Sequence, residues 1–412
     1  MLDSVKVRIL ARPVALPVIL FFCACGDLAL PGRARIEGDD PELRASAQHM
    51  LRDLERLSGL RAIAPIHVAR QNETGLRDLL YGAMEESQTE LEAALEAYVI
   101  LGLVPETFDV YTLVRAQVNE IAGYYHPETR RLYVLNKVAP AEAEVVLAHE
   151  LVHAIQDQHF DLRAGMDDLD DDKAMAFQAA VEGHASMVMA AWLIEQLTGE
   201  RINPAAMPSV ADQIRRSPIT SAFAVPNGPR ALQRMFYFPY VEGSSFVRML
   251  WKYYPDRLAA GLDTLRPNST EQVLNPERAL LGGRDEPIAI AMDLPPGGWN
   301  ARFEATMGEF TMRLILEESL GSSAATAAGG WRGDHLRLLD DGGDARVLQW
   351  LTAWDDDTRA DAFARMAFRF IESRGARWNG SVTRSALDGV PVVHVKLANT
   401  TAWPSNVRDL AR

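Results

Sequence analysis

The chain has 412 residues, 48% hydrophobic and 24% charged, enough material for one large folded unit or two moderate ones. Its 56 acidic residues outweigh 42 basic ones, and the net charge of -14 argues against nucleic acid and against adhesion to anionic lipid through a basic surface. Both cysteines, Cys23 and Cys25, lie near the N-terminus, which excludes disulfides, cysteine nucleophiles and thiolate metal sites from everything downstream.

Lys6, Arg8 and Arg12 precede an apolar run at 14–22 and then Cys23-Ala24-Cys25-Gly26. A basic stretch, a short apolar core and small residues at a cleavage point predict a secretory signal over 1–25, too short to span a bilayer. Ala24-Cys25 is similar to the end of a bacterial lipobox, in which the cysteine carries lipid and becomes the new N-terminus. The expected location is outside the cytoplasmic membrane, held to the cell envelope through a lipid on Cys25, with simple secretion as the alternative. Residues 26–40 mix Gly, Pro, Arg and Asp and read as a tether.

From 41 to about 103 apolar residues recur at three and four, as in Leu51, Leu54 and Leu57 or Leu76, Leu79 and Leu80, which predicts one-sided helices. The period then changes. Residues 121–125 and 131–135 are aromatic and β-branched, and His126-Pro127-Glu128-Thr129 between them predicts a hairpin. Pro140 starts a helix expected to reach about 158, with Glu142 and Glu144 favouring its positive end. The acidic run Asp167, Asp168, Asp170, Asp171 and Asp172 reads as a solvated turn, since its spacing fits no calcium loop. A second helix is expected over 174–197 and another over 309–320. The C-terminal stretch is read as strand 347–354, helix 357–373 capped by the Asp355-Asp356-Asp357 run, and strand 392–397. The expected fold is α+β and mostly helical, with a domain over 41–320 and a small α+β region over 321–412.

His149-Glu150-Leu151-Val152-His153 carries the chemistry. On a helix, residues four apart stand about 40° apart around the axis and one turn along it, so both imidazoles point to one side and can bind one Zn²⁺. Glu150, about 100° from His149, can face a water acidified by the metal and accept its proton. Val145, Val146, Leu151, Val152 and Ile155 wrap the same helix, so it should be buried, and buried histidines need partners.

A catalytic zinc takes a third protein ligand and keeps a fourth position open. His159 has the metzincin spacing, but Gln156 stands where those enzymes need glycine, and an uninterrupted helix would carry His159 away. Glu182, in Val181-Glu182-Gly183-His184-Ala185 midway along the next helix, is the better candidate, with His184 facing elsewhere as a surface histidine or a support to the ligands. In the aromatic stretch Phe236-Tyr237-Phe238-Pro239-Tyr240, Tyr240 or Tyr237 could donate a hydrogen bond to an oxyanion, and strand 132–135 could offer its edge to an extended peptide.

These motifs resemble the gluzincin group of zinc peptidases, and the longer string from His149 to Leu162 with Val181-Glu182-Gly183 resembles poorly characterised zincin-like lipoproteins of the bacterial envelope. The resemblance covers roughly residues 118–251. It implies a zincin-like core, Zn²⁺ on His149, His153 and Glu182, and Glu150 as catalytic base. Two departures stand out: Ser186 replaces an aspartate that often orients a ligand histidine, and the interval from His153 to Glu182 is long. Asp157, on the face of His153, could supply that carboxylate instead. The expected activity is zinc-dependent hydrolysis of peptide bonds. The alternatives are a zinc amidase acting on cell-wall peptides and a non-catalytic envelope lipoprotein that uses the fold for binding.

Overall fold

The computed structural model describes residues 35–167, 169–211, 228–283 and 285–400. The signal segment, Cys25, tether residues 26–34 and Asp168 lie outside the described residues. Among the described residues no helix is long and apolar enough to cross a membrane.

The end of the expected tether is ordered. Ile36–Glu37 forms a short strand, β1, and Asp40 caps α1 (Pro41–Ser58) by accepting the Glu42 and Leu43 amides at 3.0 and 2.9 Å. The stretch read as largely helical is interrupted by β2 (Ile66–Gln71), after which come α2 (Glu73–Glu86), α3 (Gln88–Leu101) and α4 (Val110–Glu120). The hairpin follows as β3 (Gly123–His126) and β4 (Arg131–Leu135). These strands form a sheet ordered β1-β2-β4-β3, in which β1, β2 and β4 run parallel and β3 antiparallel. The strand expected to offer a free edge, 132–135, is therefore internal, because β2 pairs with it. The edges of the sheet are the two-residue β1 and, beside β4, β3.

Helix α5 (Pro140–Phe160) packs on β3 and β4 and against α1. A single turn, α6 (Ala164–Asp167), leads to α7 (Asp171–Thr198), whose cap is Asp170. The acidic run is not a solvated turn throughout: Asp172 is buried and accepts the backbone N–H and hydroxyl of Thr270. Next comes α8 (Arg230–Tyr253), which lies along α7, then the short α9 (Thr270–Leu274) and α10 (Pro276–Leu281).

A second, antiparallel sheet is built from β5 (Asn300–Ala305), β6 (Trp331–Asp340), β7 (Arg346–Trp354), β8 (Asn379–Leu387) and β9 (Val390–Ala398), in the order β5-β6-β7-β9-β8. Helices α11 (Gly308–Leu320) and α12 (Asp357–Ser373) cover it, with Asp356 capping the latter. This unit begins at Asn300, ahead of the boundary expected at 320. Asp334 ties it together: its buried carboxylate accepts the Met307 and Gly308 amides and the Trp331 and Trp350 indole N–H groups. A Cβ on Gly308 would strike Asp172 at 1.7 Å, so α7, α9 and α11 meet at one buried point. One continuous hydrophobic core runs through both sheets' helices. The fold is α+β with helix predominant.

Candidate metal centre

His149, Glu150 and His153 lie in the middle of α5, and Glu182 in the middle of α7. Both helices are buried along these turns, which is why the apolar residues around the histidines wrap the whole helix instead of one stripe. The two imidazole rings stand 4.7 Å apart and nearly perpendicular. Three atoms converge: His149 Nε2 and His153 Nε2 are 3.0 Å apart, and Glu182 Oε2 lies 3.2 Å from the first and 3.4 Å from the second. Among the described residues this is the one group of three or more potential ligands close enough to share a metal.

Magnitudes decide what such a triangle can hold. A tetrahedral zinc with bonds of about 2.0–2.1 Å separates its ligand atoms by roughly 3.3–3.4 Å. The observed sides fall on or just inside that length, and two imidazole nitrogens with one carboxylate are a donor set zinc accepts. A second observation agrees. Glu182 Oε1 and Glu150 Oε2 are buried oxygens with no hydrogen-bond partner, a costly arrangement for carboxylates with nothing else to bind. The residues fit the metal.

The electrostatics follow from burial and from the pairing. Burial works to raise the Glu182 carboxyl, but His153 and His149 outweigh it and hold the group at about 2. Burial works to lower His153, and the Glu182 and Glu150 carboxylates instead raise it to about 9. Glu150 takes no part in the triangle. Its carboxyl accepts the Tyr125 N–H from the free edge of β3, and burial pushes it above the ordinary range despite both histidines. Tyr240 reaches the site from α8. Its ring lies 6.3 Å from that of His149, its hydroxyl donates to Glu182, and burial beside Glu182 and Glu150 raises it well above the ordinary phenol value.

Tyr240 gets there because α7 and α8 touch backbone to backbone. A Cβ on Gly183 would lie 2.2 Å from the carbonyl carbon of Gly243, and one on Gly243 would lie 2.1 Å from the carbonyl oxygen of Ala179. Gly183 follows Glu182 and Gly243 lies three residues, about one helical turn, after Tyr240, so the close crossing puts the tyrosine against the carboxylate.

The remaining expectations divide. His159 is exposed and hydrogen-bonds the Arg61 carbonyl at 2.6 Å, away from the triangle, since α5 continues unbroken past Gln156. Asp157 does not orient His153. It accepts the Tyr125 hydroxyl at 2.9 Å and the Leu162 amide at 3.0 Å, bracing the end of α5. His184 is buried, 1% exposed, and is not a surface histidine. The neighbour of His153 Nδ1 is Gln156, whose amide oxygen lies 2.8 Å away. In the sequence Gln156 stands out only as the residue replacing a glycine; its place four before the end of an unbroken buried helix is the signal that could have found it.

Residues 299–401 match the sequence model of a family described as a domain of unknown function, DUF8575. No curated protein and no solved structure matches the chain. The matched stretch is the second sheet with its helices, and it contains none of His149, Glu150, His153, Glu182 or Tyr240.

Proposed function

We propose that the chain is a zinc-dependent metallopeptidase with a zincin-like core, in which His149, His153 and Glu182 hold the metal. The observation that carries this reading is the triangle of 3.0, 3.2 and 3.4 Å between their ligand atoms. Zinc bound there would supply a Lewis acid that polarises a carbonyl and makes water nucleophilic near neutral pH.

The chain's own groups do the rest. Glu150 accepts a proton at its unpartnered Oε2 from the attacking water and returns it to the leaving amine. The Tyr240 hydroxyl turns from Glu182 to donate to the oxyanion that forms on the scissile carbonyl. Substrate is an extended peptide lying along β3. The Leu135 amide bonds the Ala122 carbonyl, so by the alternation of an antiparallel pair Tyr124 and His126 face β4 while Gly123 and the Tyr125 carbonyl turn outward, the Tyr125 N–H being taken by Glu150. That edge stays close to α5 because Gly123 has no side chain; a Cβ there would lie 2.5 Å from Val146. The site works outside the cytoplasmic membrane, on a chain anchored through Cys25.

Metal analysis tests the reading. The chain freed of its signal segment is expected to carry about one zinc, to lose it in Glu182→Ala, and to keep it in His159→Ala. Native protein without zinc would sink the proposal and leave an envelope binding protein as the better account. Tyr240→Phe is expected to retain zinc and lower kcat about 10²–10³-fold, the usual effect of removing one oxyanion donor. An unchanged kcat on a fluorogenic peptide would move that role to another group.

A further inference from the structure

The motif helix carries a buried amide that the chemistry above does not use. Gln156 is fully buried between α5 and α7. Its Nε2 lies 3.1 Å from the Val181 carbonyl oxygen and 2.9 Å from His184 Nδ1, and its Oε1 lies 2.8 Å from His153 Nδ1. His184 Nε2 in turn lies 3.1 Å from the Ser58 carbonyl oxygen, at the end of α1.

Backbone carbonyls close this chain of hydrogen bonds at both ends, and a carbonyl only accepts. The Val181 carbonyl therefore requires the NH₂ edge of Gln156, which turns Oε1 toward His153. An amide oxygen also only accepts, so the His153 ring carries a proton on Nδ1. When that ring is neutral, its lone pair is on Nε2, the atom in the triangle. At the other end, the Ser58 carbonyl fixes a proton on His184 Nε2 and leaves Nδ1 to accept from Gln156. Flipping the amide would set oxygen against oxygen at Val181 and oxygen against an unprotonated nitrogen at His184. The assignment has one solution.

We infer that Gln156, locked by Val181 and His184, is the positioning residue that fixes the tautomer and orientation of His153 for metal binding. The inference rests on the zinc reading of the triangle. A neutral amide suits the place for an electrostatic reason: Glu150 and Glu182 already put two buried carboxylates beside His153, and a third would repel both. It takes over the task that a carboxylate performs in many histidine–zinc sites.

The test compares zinc affinity, measured by competition with a chromophoric chelator, across native protein, Gln156→Met and Gln156→Glu. Gln156→Met keeps the length and removes the acceptor, and is expected to weaken zinc binding about 10- to 100-fold. Gln156→Glu keeps an acceptor but sets an oxygen against the Val181 carbonyl and a third carboxylate beside Glu150 and Glu182, and is expected to weaken zinc binding at least as much. Imidazole ¹⁵N spectra of the zinc-loaded proteins supply the second readout: the His153 Nδ1–H signal loses its hydrogen-bonded shift only in Gln156→Met. Equal affinity and an unchanged signal in Gln156→Met would overturn the inference while leaving the metal site standing. A Gln156→Glu variant that bound zinc as tightly as native protein would overturn it too, since that variant has lost the NH₂ edge the lock requires. Absence of zinc from native protein would instead remove the reading beneath it. Should Gln156→Met fail to fold, His184→Phe replaces it, with a smaller weakening and the same spectral change expected; native affinity there would count against the lock.

Discussion

Replacing Glu150 by glutamine is expected to leave zinc content near one per chain and to lower peptide turnover about 10²–10⁴-fold, the usual size of a general-base contribution. The separation of the two effects follows from position. Glu150 is one residue from His149, yet its oxygens are not among the three converging atoms, so the metal loses no ligand. The amide has the same shape and can still accept the Tyr125 N–H, but it cannot take a proton from water. In protein stripped of zinc, stability near neutral pH is expected to rise: burial raises the folded-state pKa of Glu150, so its carboxylate opposes folding there, and the neutral amide removes that cost. His153→Ala, by contrast, should lose zinc and turnover together. Metal analysis, a fluorogenic peptide assay and a melting curve on both variants separate the outcomes. Native turnover in Glu150→Gln would end the general-base assignment.

The parts of this molecule that are legible in the sequence are those fixed by local chemistry. His149, Glu150 and His153 share one helix, where spacing alone sets direction, and the residues around them declare the helix buried. Glu182 is legible one step further, because a second buried helix follows at once and carries one carboxylate mid-way. What fails to show depends on partners distant in sequence. β2 has only Ile66, Val68 and Ala69 as apolar residues, and its strand character comes from lying beside β4, so the pattern alone points to the wrong strand as the free edge. Asp172 reads as one more solvated acid until Thr270 supplies its donors. β6 carries Asp334, His335 and Arg337 through a buried sheet, and its charges mask it. Asp334 is tolerable there only because two indoles and two amides converge on it. Gln156 belongs to the same class, since Val181 and His184, which hold its amide, lie on α7.

The crossing of α7 and α8 yields the other large effect, and its sign can be argued against a control. Alanine in place of glycine inside an exposed helix ordinarily stabilises by about 0.5–1 kcal/mol, because the glycine backbone loses more freedom on folding. Gly82, within α2, should behave so, since a methyl added there would meet no atom within 4 Å. Gly243 should not. Its added carbon would lie 2.1 Å from the Ala179 carbonyl oxygen, an atom of backbone that no rotamer change can move, so the helices must part. Overpacking of this kind costs about 1–3 kcal/mol or more. Parting also draws Tyr240 from Glu182 while leaving α5 against α7, where all three proposed ligands reside. Gly243→Ala is therefore expected to melt several degrees lower than native, to keep its zinc, and to lose turnover as Tyr240→Phe does. Gly82→Ala, melted beside it, should shift upward. If both variants moved upward together, the glycine contact would not be what sets the crossing, and the approach of Tyr240 to the site would need another cause.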